Sequence, residues 1–308
     1  MPDFHPDLLP LARFLPEFSF GARSTALLRW LGGLGDGRVA RLRGVRMELR
    51  EIETSGGHIR LRILRPEGEE GPLPAVLWIH GGGLVIGFPA QDDGVTSEIV
   101  RTLRVVVVAV QYRLAPQHPY PAALDDCAAA LRWMQAQAPG IRPDRIAVAG
   151  VSAGGGLAAA LCLRARAQDW PMPVFQLLVY PMLDDRTVDR PALATRTVRI
   201  WSQESNRFGW SSYLGAARGS AAVPAEAASA REVDLRGLPP AWIGVGTLDL
   251  FLDEDVDYAT RLRAAGVPCT LVEVPGAYHG FDTVKRSTPV ARSFFESQLQ
   301  ALRAALSG

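Results

Sequence analysis

The chain has almost no lysine, few cysteines and no long apolar run. Lys285 is its only lysine, although arginine is plentiful. A P-loop needs its own lysine on the nucleotide phosphates, so this class of site is excluded. The three cysteines, Cys127, Cys162 and Cys269, stand in apolar contexts without paired spacing, which predicts small core residues rather than a disulfide framework.

Net charge is also nearly absent, at +1 for 308 residues. A chain this close to neutral has no field that would gather nucleic acid or an anionic membrane. No run approaches the roughly 18 apolar residues of a membrane span. The first 21 residues mix acidic residues and prolines, unlike a signal peptide. We therefore expect a soluble, cytoplasmic protein whose partner is a small molecule, with no nucleic acid and no membrane.

Short apolar runs alternate with helical stretches along most of the chain. Residues 46–54 and 58–65 alternate apolar and polar residues around Ser55-Gly56-Gly57, which predicts an antiparallel hairpin at a sheet edge. Six runs typical of buried parallel strands follow, at 74–79, 105–110, 146–149, 175–180, 241–245 and 269–274. Predicted helices cover 121–137, 153–168 and 252–265. The pattern predicts an α/β fold, an eight-stranded, mostly parallel sheet with helices on both faces and ligands at the carboxyl ends of the strands.

Two segments interrupt this alternation. Residues 1–44 carry apolar residues, Trp30 among them, at helix-like spacing, and residues 183–236 contain Trp201, Phe208, Trp210 and Tyr213. Both are long for connections, which favours a helical lid over the site rather than peripheral helices. We thus expect a cap segment at 1–44 and a catalytic domain at 45–308 that carries a cap insertion at about 183–236.

The run GVSAGG at 150–155 lies between an apolar stretch and an Ala/Leu-rich one. A strand that turns sharply into a helix exposes the intervening serine hydroxyl and needs small neighbours on both sides. Ser152 fits this nucleophile elbow, and Gly150 and Gly154 fill the flanking positions. A plain glycine turn explains the run equally well when it is taken alone.

A second glycine run, HGGG at 80–83, directly follows an apolar strand. Glycines there let backbone N–H groups point into a cavity, where they stabilise the oxyanion of a tetrahedral intermediate together with the N–H after the nucleophile. That residue is Ala153. The two runs stand in the order expected for one site, which favours chemistry over a flexible turn.

A serine nucleophile needs a base, and the base needs an acid that holds its tautomer. His279 follows the last predicted strand in a loop, PGAYHGF, where the order serine, acid, histidine places the base. The acid should follow the strand at 241–245. Asp249 stands closest to that strand, and Asp253, at the start of a helix, is the second choice because acidic residues in a first turn commonly serve the helix dipole.

Five motifs together resemble the hormone-sensitive-lipase-like family of α/β-hydrolase carboxylesterases. They are HGGG, YRLAPQHPYPAALDD at 112–126, GVSAGG, DLFLDE at 249–254 and YHGF at 278–281, and the resemblance runs from about residue 61 to the C-terminus. It implies Ser152 as nucleophile, His279 as base, Asp249 as acid and the N–H groups of Gly82, Gly83 and Ala153 as the oxyanion hole. By the same resemblance, His80 braces the glycine loop, and a homodimer through the edge strand near 269–274 is plausible.

Two residues depart from that family's pattern. Val151 stands where relatives often have Asp or Thr, and Leu84 stands where an aromatic residue often follows HGGG. Neither change removes a catalytic group, so both bear on substrate preference. In the 112–126 motif, Arg113 with Asp125 or Asp126 could bind substrate, but an ion pair that holds the loop is favoured.

The predicted function is hydrolysis of short- to medium-chain carboxylic esters through an acyl-enzyme, with no cofactor and no metal. A long-chain lipase would expose more apolar surface. An amidase or a thioesterase would use the same groups, and a non-catalytic receptor of this fold stays open, although such proteins generally lack a triad residue. A dinucleotide-binding unit at Gly154, Gly156 and Ala159 is formally allowed but leaves HGGG, Asp249 and His279 unexplained.

Overall fold

A central sheet of eight strands organises the protein. The structure, a computed structural model, describes residues 4–15, 19–21, 25–26, 28–29, 42–136, 138–190 and 198–307. The strands are β1 (Val45–Thr54), β2 (Gly57–Pro66), β3 (Leu73–Ile79), β4 (Val106–Val110), β5 (Ile141–Val151), β6 (Phe175–Val179), β7 (Ala241–Gly246) and β8 (Cys269–Val274). Their order across the sheet is β1-β2-β4-β3-β5-β6-β7-β8.

The first two pairings, β1 with β2 and β2 with β4, are antiparallel, and the rest of the sheet is parallel. The hairpin β1–β2 pairs Thr54 with Gly57 across its turn and lies at the edge of the sheet. The predicted mostly parallel, eight-stranded α/β architecture is therefore confirmed.

Helices cover both faces of the sheet. In the described part of the chain they are α1 (Leu9–Ala12), α2 (Asp93–Leu103), α3 (Ala122–Ala136), α4 (Ala153–Ala167), α5 (Gln203–Leu214), α6 (Leu252–Ala264), α7 (Phe281–Val284) and α8 (Pro289–Leu306). Three of them, α2, α7 and α8, were not predicted. The start of α8 does carry a sequence signal, since the Thr288 hydroxyl accepts a hydrogen bond from the Ala291 N–H and Pro289 opens the helix.

The core divides into two layers because side chains alternate along every strand. In β4, Val106 and Val108 belong to the core layer that contains residues of α3, α4 and α6, whereas Val107 and Ala109 belong to the layer that contains residues of α2 and α8. This double burial explains why the central strands read as continuous apolar runs. None of the described helices combines the length and the hydropathy needed to cross a bilayer.

The carboxyl ends of four strands meet at one edge of the sheet. The HGGG loop follows β3, Ser152 follows β5, Asp249 follows β7 and His279 follows β8. The parallel strands thus bring together residues that lie as far as 199 positions apart in the chain, from His80 to His279.

The two predicted cap segments are described only in part. Trp30 and residues 191–197 lie outside the described residues. In the described part, α5 belongs to the 183–236 segment, and its Trp210 and Tyr213 are buried. The division into cap and catalytic domain stays a prediction.

Candidate active site

The serine turn has the strained backbone that the sequence pattern predicts. Ser152 adopts φ 56° and ψ −121° between the end of β5 and the start of α4, a conformation that non-glycine residues rarely adopt. Its N–H donates to the Val179 carbonyl, at 2.8 Å, which holds the turn against β6. A Cβ on Gly154 would lie 2.1 Å from the Ile79 carbonyl oxygen, so only glycine fits where α4 passes the end of β3.

A continuous hydrogen-bonded chain joins the three predicted triad residues. Ser152 Oγ lies 3.0 Å from His279 Nε2, and His279 Nδ1 lies 2.8 Å from Asp249 Oδ2. All three side chains are buried, with Asp249 fully enclosed. With a proton on Nδ1, the ring donates to Asp249 and accepts from the serine hydroxyl, which is the tautomer that a general base requires.

Asp249 and His279 are each held by further contacts. The second carboxylate oxygen of Asp249, Oδ1, accepts the Phe251 N–H at 3.0 Å. The rings of Tyr180 and Phe251 pack edge-on against the imidazole, with centroid distances of 4.7 and 5.2 Å. These contacts fix the ring plane of His279 between the acid and the serine.

The second choice for the acid, Asp253, lies on the exposed side of α6 and is not brought to the imidazole. Its neighbour Glu254 is buried and serves another purpose, because it accepts the Leu183 N–H at 2.7 Å and the Asp184 N–H at 3.2 Å. Burial raises the pKa of Glu254 to about 8. The geometry therefore selects Asp249 as the partner of His279.

The three predicted oxyanion donors have no competing acceptor. Within the described residues, the N–H groups of Gly82, Gly83 and Ala153 donate to no protein atom. The loop is turned by the Gly82 carbonyl, which accepts the N–H groups of Val85 and Ile86. Unpaired backbone donors beside a nucleophile are the groups that stabilise an oxyanion.

His80 is the first residue of this loop, but its side chain points away from the catalytic cavity. Its ring is buried, stacks on Tyr112 at 4.2 Å and donates from Nδ1 to the Gly81 carbonyl at 2.8 Å. Tyr112 in turn donates its hydroxyl proton to the His80 carbonyl. Burial lowers the pKa of His80 to about 4, so the ring stays neutral at physiological pH and supports the loop.

The 112–126 motif forms ion pairs. Arg113 Nη2 lies 2.8 Å from Asp126 Oδ1, and the Arg113 N–H also donates to the Asp126 carboxylate. Asp125 instead pairs with Arg164, at 2.5 Å. The ion-pair interpretation of Arg113 and Asp126 agrees with this geometry.

The triad opens onto a cavity of about 470 Å³. Glycines 81–83 and Val151 form part of its wall, and Trp201 covers Gly83 so closely that a Cβ there would lie 2.0 Å from the indole. Two charged residues that the sequence analysis missed, Asp92 and Arg286, also line the cavity. Asp92 lies only nine residues beyond Gly83, but nothing in the local pattern distinguishes it from a helix-capping acid.

The described part of the chain contains no candidate metal-binding site. No group of three or more His, Cys, Asp or Glu side chains there is arranged to hold an ion.

Comparison with known proteins extends these observations. A profile of the α/β-hydrolase-fold family matches residues 76–283. Esterase LipI of Mycobacterium tuberculosis is 35% identical over 295 residues, which cover 87% of this chain and 89% of that protein. Carboxylesterase NlhH of the same species is 36% identical over 275 residues, with 84% of each chain covered.

Among solved structures, a bacterial heroin esterase superposes with a TM-score of 0.90 at 34% identity over 98% of both chains. Esterase LipW of Mycobacterium marinum gives 0.87 at 32% identity, over 100% of this chain and 99% of that one. The profile and these relatives agree with the resemblance inferred from the motifs. The chain therefore belongs to the α/β-hydrolase family, among the hormone-sensitive-lipase-like esterases.

Proposed function

We propose that this protein is a serine carboxylesterase that hydrolyses short- to medium-chain carboxylic esters. One observation carries the proposal: the unbroken hydrogen-bonded chain from Asp249 through His279 to Ser152, next to free backbone donors in a cavity. Relatives named esterase, carboxylesterase and ethyl acetate hydrolase support the ester as substrate.

In the first half-reaction, Ser152 Oγ attacks the ester carbonyl carbon while His279 Nε2 takes the hydroxyl proton. The carbonyl oxygen becomes an oxyanion, which the N–H groups of Gly82, Gly83 and Ala153 stabilise. His279 then protonates the leaving alkoxide, and the C–O bond breaks to leave an acyl-serine. Asp249 stabilises the imidazolium throughout.

In the second half-reaction, a water molecule replaces the alcohol. His279 removes a proton from the water as it attacks the acyl carbonyl, and the same oxyanion donors act again. Collapse of the intermediate returns the proton to Ser152 Oγ and releases the carboxylic acid. No step in this sequence requires a metal or an organic cofactor.

The test is hydrolysis of p-nitrophenyl esters of increasing chain length by wild type and Ser152→Ala. We expect turnover to peak at a short or medium chain and kcat to fall by about 10⁶-fold in the variant, the loss seen when a triad serine is removed. Ser211→Ala, on the exposed side of α5, is the matched control and should keep wild-type activity.

Labelling separates an enzyme from a receptor of the same fold. A fluorophosphonate should add one phosphonyl group to Ser152 in intact-protein mass spectrometry, and to neither Ser152→Ala nor denatured protein. Folded wild type without labelling and without ester turnover contradicts the proposed function.

We also propose an oligomeric state, a cellular location and a cap for this protein. The described strand β8 ends the sheet, and a terminal strand offers its outer edge for pairing with a second copy, which supports a homodimer through this edge. Sedimentation equilibrium tests it, and a monomer mass at micromolar concentration refutes it. We place the protein in the cytoplasm, which cell fractionation checks, and assign residues 1–44 and about 183–236 to a cap over the site.

A further inference from the structure

Asp92 is a buried residue in the wall of the substrate cavity, and in the described structure only one of its two carboxyl oxygens accepts a hydrogen bond. Asp92 is 7% exposed and lines the cavity that contains Ser152. Its Oδ2 accepts the indole N–H of Trp78, at 2.8 Å. Its Oδ1 accepts no hydrogen bond from the described residues, yet it is not one of the fully buried side-chain atoms that lack a partner. This oxygen therefore keeps some accessible surface, and because Asp92 lines the cavity, it opens onto the cavity.

Part of the remaining wall is aromatic. Trp201, Phe20 and Tyr180 all line the same cavity, and the rings of Phe20 and Trp201 stack at 5.5 Å. Aromatic faces together with a carboxylate form the environment that binds organic ammonium ions, because the ring quadrupole attracts a cation that is only weakly hydrated.

Carboxyl groups outnumber guanidinium groups next to Asp92. Asp282 lies close to Asp92 and accepts the Tyr180 hydroxyl at 2.7 Å. Arg286, the cation in the same wall, donates to Glu98 at 2.8 Å and makes no hydrogen bond to Asp92 in the described structure. One guanidinium therefore stands among three carboxyl groups.

We infer that Asp92, Trp201, Phe20 and Tyr180 form an ammonium subsite, and that the enzyme prefers esters carrying a cationic amine in the acyl or alcohol part. The inference rests on the proposed esterase function, and it adds the substrate class. A carboxylate that is buried away from water loses its hydration, and the burial is costly unless a partner compensates it. The ammonium group of a substrate supplies that partner at Oδ1.

The test uses two pairs of esters. Within each pair, one ester carries a trimethylammonium group and the other carries a neutral tert-butyl group at the same position. Choline acetate and 3,3-dimethylbutyl acetate place the difference in the alcohol, whereas betaine ethyl ester and ethyl 3,3-dimethylbutanoate place it in the acyl group. For at least one of the two pairs, the wild-type kcat/KM at pH 8.5 should be about tenfold higher for the cationic ester than for the neutral ester. This factor is in the range of cation–π and close charge contacts.

Asp92→Asn keeps an acceptor for the Trp78 indole but removes the charge. The cation-to-neutral ratio should fall about tenfold relative to wild type in this variant. Asp253→Asn, which removes the same charge from an exposed site, should keep the wild-type ratio. Tetramethylammonium should inhibit p-nitrophenyl acetate hydrolysis competitively in wild type and about tenfold more weakly in Asp92→Asn.

The pH dependence gives a second signature. Burial, helped by Asp282 and Asp93, raises the pKa of Asp92 to about 7, so its negative charge appears as pH rises from 6 to 8. The ammonium charge of both cationic probes is permanent, and the pH dependence of the hydrolysis steps themselves is shared by both members of a pair. The ratio should therefore rise across this range in wild type and stay flat in Asp92→Asn. The other ionisable groups near Asp92 are Arg286, Tyr112 and Tyr180.

The two proposals fail in different ways. Turnover of the neutral esters tests the esterase function, and only the ratio tests the subsite. A ratio of one or less for both pairs, a ratio unchanged in Asp92→Asn, or tetramethylammonium inhibition that Asp92→Asn leaves intact overturns the subsite.

Discussion

Asp249 and Asp253 differ by four positions in the sequence but stand in different environments. Asp249 is fully buried and bonded to His279, whereas Asp253 is exposed on α6. Asp249→Asn should lower kcat by about 10⁴-fold, because an amide that donates to Nδ1 stabilises the wrong imidazole tautomer. Asp253→Asn should stay near wild type. The measurement is kcat on p-nitrophenyl acetate, and the assignment is wrong if Asp253→Asn is the more damaging change.

Trp201 limits the cavity at the level of a single side chain. It covers Gly83 and stacks on Phe20, so Trp201→Ala should make room for a longer acyl chain. We expect the ratio of kcat/KM for p-nitrophenyl octanoate over acetate to rise about tenfold, the effect of one or two accommodated methylenes.

Trp170→Ala is the matched control, because that indole packs outside the substrate cavity against Arg132. A chain-length profile that moves equally in both variants would show that the change acts through stability rather than through the cavity.

At the scale of elements, the contact between β3 and the β5–α4 turn determines whether the elbow forms. Gly154→Ala forces a Cβ against the backbone carbonyls of Ile79 and His80, which cannot move without breaking the sheet. The variant should lose ~3 kcal/mol or more of unfolding free energy, at the upper end of overpacking costs. Urea denaturation checks this. Gly21→Ala, whose added Cβ meets no described atom within 4 Å apart from its chain neighbours, should be near neutral.

The N-terminus of α6 carries a pH-dependent contact. Glu254 accepts the N–H groups of Leu183 and Asp184 and contacts the Thr187 hydroxyl. Burial raises its pKa from 4.5 to about 8. Because the folded state binds this proton more tightly than the unfolded state, the contribution is complete below pH 4.5 and is lost as pH rises through 8.

Glu254→Gln imitates the protonated form, since its amide can still accept from both N–H groups and donate to Thr187. Between pH 6 and 9 the unfolding free energy of wild type should therefore fall by at least ~1.4 kcal/mol more than that of the variant, the equivalent of one pKa unit. Glu273→Gln, on the exposed side of β8, should follow wild type. Parallel urea curves at four pH values test this, and equal slopes for wild type and Glu254→Gln contradict it.

At the scale of the whole molecule, the parallel sheet is what assembles the site. Four loops that are distant in sequence leave the same edge because their strands run in the same direction, and residues of three of these loops line the cavity together with Trp201. The apolar strand runs predicted this sheet well, since burial on both faces leaves a clear signature. Helix α8 was missed although Thr288 and Pro289 mark its start, because no strand follows it to continue the alternation.

The sequence by itself determined the sheet, the elbow at Ser152, the glycine loop and the choice of His279, because each depends on local backbone chemistry or on chain order. Only the tertiary structure decided between Asp249 and Asp253, since both acids follow the same strand and only packing shows which one reaches the imidazole. The same holds for Asp92. Its position in the cavity wall depends on how the start of α2 packs against Trp78 of β3, and no short-range pattern records such a contact.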